Sequence, residues 1–166
     1  LASKSEVRKK ILEENGISCV VKPANVDEDL VKESLINEDV TPTIISKNLA
    51  ELKANKISKK KNEELVLGAD SIIDLNDTII SKPSNRNEAL EILKKLNGKK
   101  HYLISSVCIS KNGSMVWNYT DKAGLTMKQM TDEELKSYLS KIKDVALYSY
   151  NVYQIEGEGR FLFSKI

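Results

Sequence analysis

Residues 65–71, Leu-Val-Leu-Gly-Ala-Asp-Ser, constrain the fold more than any other stretch. An apolar run reaches Gly68, and a lone carboxylate, Asp70, follows. A buried strand that delivers an acid to the edge of a sheet has this pattern, and open α/β sheets bind ligands beyond the carboxyl ends of their strands. Asp70 is therefore the first candidate for chemistry. A second reading stays open: Asp70 opens a turn, since Asp74, Asn76 and Asp77 follow closely and such residues commonly serve turns.

The surrounding pattern predicts an α/β chain. Ser5 caps a helix from about Glu6 to Asn15, closed by Asn15-Gly16. Residues 17–21 alternate as a strand that Pro23 stops, and Asp27-Glu28-Asp29 reads as an acidic loop. Ile44, Ile45, Leu49, Leu52 and Ile57 recur at helical spacing and predict a helix over 43–59. A hairpin turn follows at 74–77, then a short strand over 78–80 and a helix over 87–96 capped at Ser84-Asn85. Asn112-Gly113 is a strong hairpin signal between strands at 101–110 and 114–119. A further strand is expected at 123–127, and Thr131-Asp132-Glu133-Glu134 is a capping box. Strands and helices alternate early and hairpins dominate later. That predicts a mixed sheet flanked by helices, with two lobes around a central cleft, rather than a purely parallel sheet.

Length and charge narrow the class. The 166 residues suit one domain, and 26 basic against 24 acidic residues leave a net charge of +2. Balanced charge with one Trp, six Tyr and two Phe counts against an RNA-binding module. No apolar run approaches the roughly 20 residues of a membrane span, and charges at Lys4, Glu6, Arg8 and Lys9 speak against a signal peptide. Cys19 and Cys108 fit no metal spacing and read as buried thiols of a cytoplasmic protein. The single histidine, His101, is either a general acid or a structural residue at a strand edge, with the structural role favoured.

Four polar features remain. Ser3-Lys4-Ser5-Glu6-Val7-Arg8 runs into a helix start, where free backbone N–H groups make an anion site that Arg8 reinforces, or where Ser5 is only a cap. Lys53 reads alone as a surface lysine. Lys82 precedes Pro83, so its backbone is held extended and it is a candidate phosphate ligand. Glu28 and Asp70 together could hold a hard divalent cation. Three cations, a helix N-terminus and two carboxylates are what a metal-dependent enzyme acting on a polyphosphate needs.

Read in order, these pieces resemble the Maf family of nucleoside triphosphate pyrophosphatases. The resemblance rests on Ala2-Ser3-Lys4-Ser5-Glu6-Val7-Arg8, Asp27-Glu28, Leu49-Ala50-Glu51-Leu52-Lys53-Ala54 and Gly68-Ala69-Asp70-Ser71. It continues through Lys82-Pro83, Leu96-Asn97-Gly98-Lys99-Lys100-His101 and Tyr153-Gln154-Ile155-Glu156-Gly157, collinear over nearly the whole chain. It implies a single Maf/ITPase-like domain over residues 1–166, and a family C-terminal segment beyond Ile166 that this sequence lacks. It implies hydrolysis of a nucleoside triphosphate to a monophosphate and pyrophosphate, in a house-cleaning role toward modified nucleotides. Asp70 is then the general base. Glu28 and Asp70 hold Mg²⁺ or Mn²⁺, with Co²⁺ a further candidate. Ser3, Ser5, Arg8, Lys53, Lys82 and Ser71 contact the substrate. Glu156 stands where pyrimidine-preferring members carry glutamine, and a carboxylate there suits the N1–H and 2-amino group of guanine. The resemblance also implies a homodimer. The competing reading is a nucleotide-binding regulator linked to cell division with little catalysis, favoured if the departures at Glu6-Val7 and the C-terminus cost activity.

Overall fold

The computed structural model describes residues 1–166. Its elements run α1 (Glu6–Glu14), α2 (Glu28–Asn37), α3 (Pro42–Ser58), β1 (Val66–Leu75), β2 (Thr78–Ile80), α4 (Arg86–Leu96), β3 (Lys100–Lys111), β4 (Ser114–Met127), α5 (Asp132–Lys141) and α6 (Asp144–Tyr150), then a 3₁₀ turn (Glu158–Leu162) and β5 (Phe163–Lys165). The strands form one sheet in the order β2-β1-β3-β4-β5, flanked by helices. The β1–β2 and β4–β5 pairs are antiparallel. The expected α/β fold class is what forms. The chain divides into two compact units, one of residues 1–71 and 104–121, the other of 72–103 and 122–166, which share out β1, β3 and β4 between them.

In the first unit, α3 packs on the sheet through small residues. Ser46, Ala50, Ala54 and Ser58 recur every four residues and are all buried. This spacing puts them in one row along the helix. The row meets Gly68 of β1, where no side chain separates sheet from helix. The expected apolar face was turned too far: Ile44 and Leu52 are exposed, and the buried stripe runs instead through Ile45, Leu49, Ala50, Lys53 and Ala54. Ala50 and Ala54 close a small core with Cys108 and Met115.

Several local readings change. Residues 17–21 form no regular strand; Ile17 and Val20 are exposed, although this stretch does hydrogen-bond the chain start through Leu1 N to Val20 O and Lys22 N to Leu1 O. Asp27 does not sit in a loop but caps α2, its side chain accepting from Leu30 N at 3.1 Å. Cys108 is buried as expected, but Cys19 is only half-buried, and both thiols are free.

In the second unit, Ile73, Leu93, Leu96, Leu125, Met127, Leu135, Leu139, Leu147 and Phe163 form one core. The 76–77 turn carries positive φ at Asn76 and Asp77, as a two-residue hairpin demands. Residues 114–127 make one continuous strand, not two. The capping box at Thr131 and Glu134 forms as read. Arg86, at the start of α4, ties down the end of α5: it donates to Leu139 O and Ile142 O and pairs with Asp144 of α6. Backbone acceptors left over at a helix end are thus satisfied by a cation. His101 is buried, with Nε2 3.0 Å from the Tyr153 hydroxyl and its ring against Tyr153 and Phe163. Burial lowers its pKa. The structural reading of His101 is the one its surroundings support.

Candidate active site

β1 does not end at Asp70. It continues to Leu75, so Asp70 sits in mid-strand and the turn reading is excluded. The alternation of Gly68, Asp70 and Ile72 aims Asp70 to the same side as Gly68, the side on which α3 lies. There α3 presents Lys53 on its buried stripe. The Lys53 ammonium donates to Asp70 Oδ1 at 2.8 Å and to Glu28 Oε1 at 2.7 Å. Lys53 is 7% exposed and Asp70 4%. The isolated reading of Lys53 as a surface lysine is therefore wrong. Its four-residue spacing from Leu49 is the signal that could have placed it on the buried face.

Glu28 comes from the first turn of α2, where Asp27 fixes the helix start. One turn later Lys32 reaches Glu28 Oε2 at 4.0 Å, its side chain mostly buried. Lys32 was not singled out from sequence, because a lysine among charged neighbours carries no mark of burial. Ser46 adds a hydroxyl that donates to the Asp70 carbonyl at 3.4 Å.

A second group gathers around the neighbouring backbone. Ser5 caps α1 by accepting from Arg8 N at 3.2 Å, while Ser3 Oγ accepts from Ser5 N at 3.1 Å and from Arg8 Nη1 at 3.2 Å. Arg8 Nη1 also donates to Ala69 O at 3.0 Å, and Nη2 reaches Ser71 Oγ at 3.4 Å. Ser71 in turn lies 3.0 Å from Ser105 Oγ of β3, another residue the sequence reading passed over. Ser3, Ser5, Arg8, Glu28, Lys53, Asp70 and Ser71 are thus brought together in the first unit. Lys82 and Glu156 belong to the second unit. Lys82 is exposed directly after β2, beside a buried Pro83. Glu156 is exposed in a turn. Near it, Tyr153, Gln154 and Glu158 share the wall of a cavity of about 240 Å³ with Tyr138 and Ile142.

Burial pushes the Asp70 carboxyl above the usual carboxylate range, and the ammonium of Lys53 offsets part of that push. A buried carboxylate whose pKa stays raised despite the Lys53 ammonium suits a general base. Its Oδ2 is buried with no hydrogen-bond partner. Such an orphaned oxygen costs stability unless something else meets it. A hard divalent cation fits this donor set, since Mg²⁺ typically takes one or two carboxylates and completes its shell with water and phosphate oxygens. No group of three His, Cys, Asp or Glu side chains is positioned together as metal ligands.

Relatives with the same arrangement of sequence are known. The family described as Maf-like protein matches residues 1–166. The chain is 75% identical over all 166 residues to a protein of Pelagibacter ubique (strain HTCC1062) named nucleoside triphosphate pyrophosphatase, spanning 85% of that protein. It is 38% identical over 166 residues to a protein of Ruegeria sp. (strain TM1040) with the same name, spanning 83% of it. A protein of Brucella abortus named 7-methyl-GTP pyrophosphatase is 36% identical over the same length, again with 83% of it spanned. No helix of the chain is long and apolar enough to cross a membrane. On the strength of the match over its whole length, the chain belongs to the Maf-like protein family.

Proposed function

We propose that this chain hydrolyses a nucleoside triphosphate to the monophosphate and pyrophosphate. The observation that carries the reading is the buried Asp70, raised in pKa and held by Lys53 in the same unit as Arg8, Ser3 and Ser5. Asp70 takes a proton from water as the water oxygen bonds to the α-phosphorus. The bond from that phosphorus to the bridging oxygen breaks, and pyrophosphate leaves with the electron pair. Lys53 and Arg8 spread the negative charge that develops on the phosphoryl oxygens. Glu28 and Asp70 would hold a divalent ion, which supplies Lewis-acid polarisation of a phosphate oxygen when bound. Lys82 is a further candidate phosphate contact. Glu156 reads the base.

The test is pyrophosphate release from GTP, 7-methyl-GTP, UTP, CTP and dTTP, with Mg²⁺ or Mn²⁺ and with a chelator control. Metal-dependent release is expected, with a guanine base preferred and the preference weakened in Glu156→Gln. A carboxylate accepts from the guanine N1–H and 2-amino group, whereas an amide can also donate to a pyrimidine carbonyl. Pyrimidine preference would remove Glu156 from base selection; no release from any nucleotide would remove the activity.

A pH experiment probes the Lys53–Asp70 pair separately. Asp70 acts as a base only when ionised, so kcat/KM falls as pH drops through its pKa. Burial places that acid limb above the ordinary carboxylate value of 3.8. Lys53 lowers the pKa, so Lys53→Met moves the limb to still higher pH and cuts kcat/KM by on the order of a hundredfold. An unmoved limb in the variant would mean that Asp70 is not the titrating base.

A further inference from the structure

Helix α6 does not close in the usual way. Its C-cap, Asn151, has φ 71° and ψ −162°, a backbone region that glycine alone occupies readily. Stopping a helix needs no such strain, because a residue in the left-handed helical region serves commonly. Strained backbone persists where its surroundings fix it from several sides, and Asn151 is buried with its side chain held at both ends. Oδ1 accepts from Val152 N at 2.9 Å, and Nδ2 donates to Ile80 O at 3.2 Å. The second bond reaches the last residue of β2, an edge strand of three residues.

The two residues after Asn151 are pinned as well. Val152 O accepts from the Tyr138 hydroxyl of α5 at 2.8 Å, and the Tyr153 hydroxyl lies 3.0 Å from His101 Nε2 of β3. The chain then turns, with Gly157 N donating to Gln154 O. Gly159 closes on the same residue: a Cβ there would fall 2.5 Å from Gln154 O and 2.7 Å from Gln154 N. Glu156 stands on this turn. At the other end of the Asn151 side chain, Ser81 and Lys82 follow Ile80 directly, outside any regular element, and lead into the buried Pro83.

We infer that Asn151 is a positioning residue for the nucleotide: it fixes the end of β2, and with it Lys82, against the turn that carries Glu156. The inference rests on the reading of Lys82 and Glu156 as phosphate and base contacts. β2 pairs with β1 only through Thr78, Ile79 and Ile80, so the stretch that presents Lys82 leaves the sheet at once. The Asn151 amide ties that exit to a segment anchored on α5 and β3. Groups that bind one ligand at two points must keep their spacing, and an error of an ångström is costly in rate. That requirement accounts for a strained asparagine where glycine would end the helix without strain.

The experiment measures kcat/KM for pyrophosphate release, per folded molecule, in Asn151→Gly and Asn151→Asp, each with Lys82 intact and in the Lys82→Ala background. Glycine takes the backbone conformation freely and loses both side-chain bonds. Aspartate keeps the shape and the acceptor for Val152 N but, when ionised, has no donor for Ile80 O. Both variants are expected to lower kcat/KM about tenfold where Lys82 is present. Where Lys82 is alanine, the loss should be less than about twofold, because two residues that act through one contact are not additive. A purely structural residue would leave the rate per folded molecule unchanged, or cost the same factor in both backgrounds. Either result overturns the inference, as does parental kcat/KM in Asn151→Asp. A parent that releases pyrophosphate from no nucleotide removes the proposed function and this role together, whereas an active parent with equal losses in the two backgrounds removes this role alone.

Discussion

Asp70→Asn is expected to lower kcat for pyrophosphate release by about 10²–10⁴-fold, the usual range for removing a general base, while nucleotide binding persists. The substitution keeps the shape of the side chain, and its amide oxygen can still accept from Lys53. Only the ability to take a proton is lost. Lys53 keeps its second partner, Glu28, at 2.7 Å, so no buried cation is left alone. The stability of the variant should move in the opposite direction to its activity. Folding raises the pKa of Asp70 above 3.8. As pH rises from that value, the unfolded chain releases its proton first, and stability falls until the folded carboxyl has also ionised. At neutral pH the folded protein therefore bears the cost of an ionised, buried Asp70, which asparagine removes. A variant that is inactive yet melts no lower than the parent is the expected signature, as at sites where function opposes stability. Turnover within tenfold of the parent would sink the assignment, whatever the melting temperature.

What the sequence made legible depended on the range of the interaction. Local chemistry was read well: Ser5, Asn85 and Thr131 are helix caps, and Asn112-Gly113 is a hairpin turn. These features are decided within four residues. The collinear motifs also led to Ser3, Arg8, Glu28, Lys53, Asp70 and Ser71, which the first unit brings together. Long-range geometry was not legible. Asp27-Glu28-Asp29 looked like an acidic loop, although an aspartate followed by acids is also how a helix begins, and it is α2 that places Glu28 beside Lys53. Lys32, Ser46 and Ser105 went unnoticed because nothing in their neighbours distinguishes a buried serine or lysine from an exposed one.

The face of α3 was misjudged for a related reason, and the correction leads to the largest stability effect expected here. Bulk hydrophobicity pointed to Ile44 and Leu52, yet the helix is drawn to the sheet by its row of small residues over Gly68. Gly68→Ala should destabilise the protein by about 3 kcal/mol, at the upper end of overpacking costs. An added Cβ would fall on the Ala50 carbonyl oxygen, 2.7 Å from Ala54 N and 2.9 Å from Ala54 Cβ. The first two are backbone atoms of a helix and cannot rotate aside, so the methyl group is accommodated only if α3 lifts from β1. Lys53 lies between Ala50 and Ala54 in the same turn. Lifting the helix draws its ammonium away from Asp70, and the protein that remains folded should lose activity as well. Urea unfolding followed by pyrophosphate release from the folded fraction separates the two effects. Gly157→Ala is the comparison, because a Cβ there meets nothing closer than Gln154 O at 4.0 Å. If Gly68→Ala unfolded within 1 kcal/mol of the parent, a common threshold for an unremarkable substitution, the close approach of α3 to β1 would not be what holds Lys53 against Asp70.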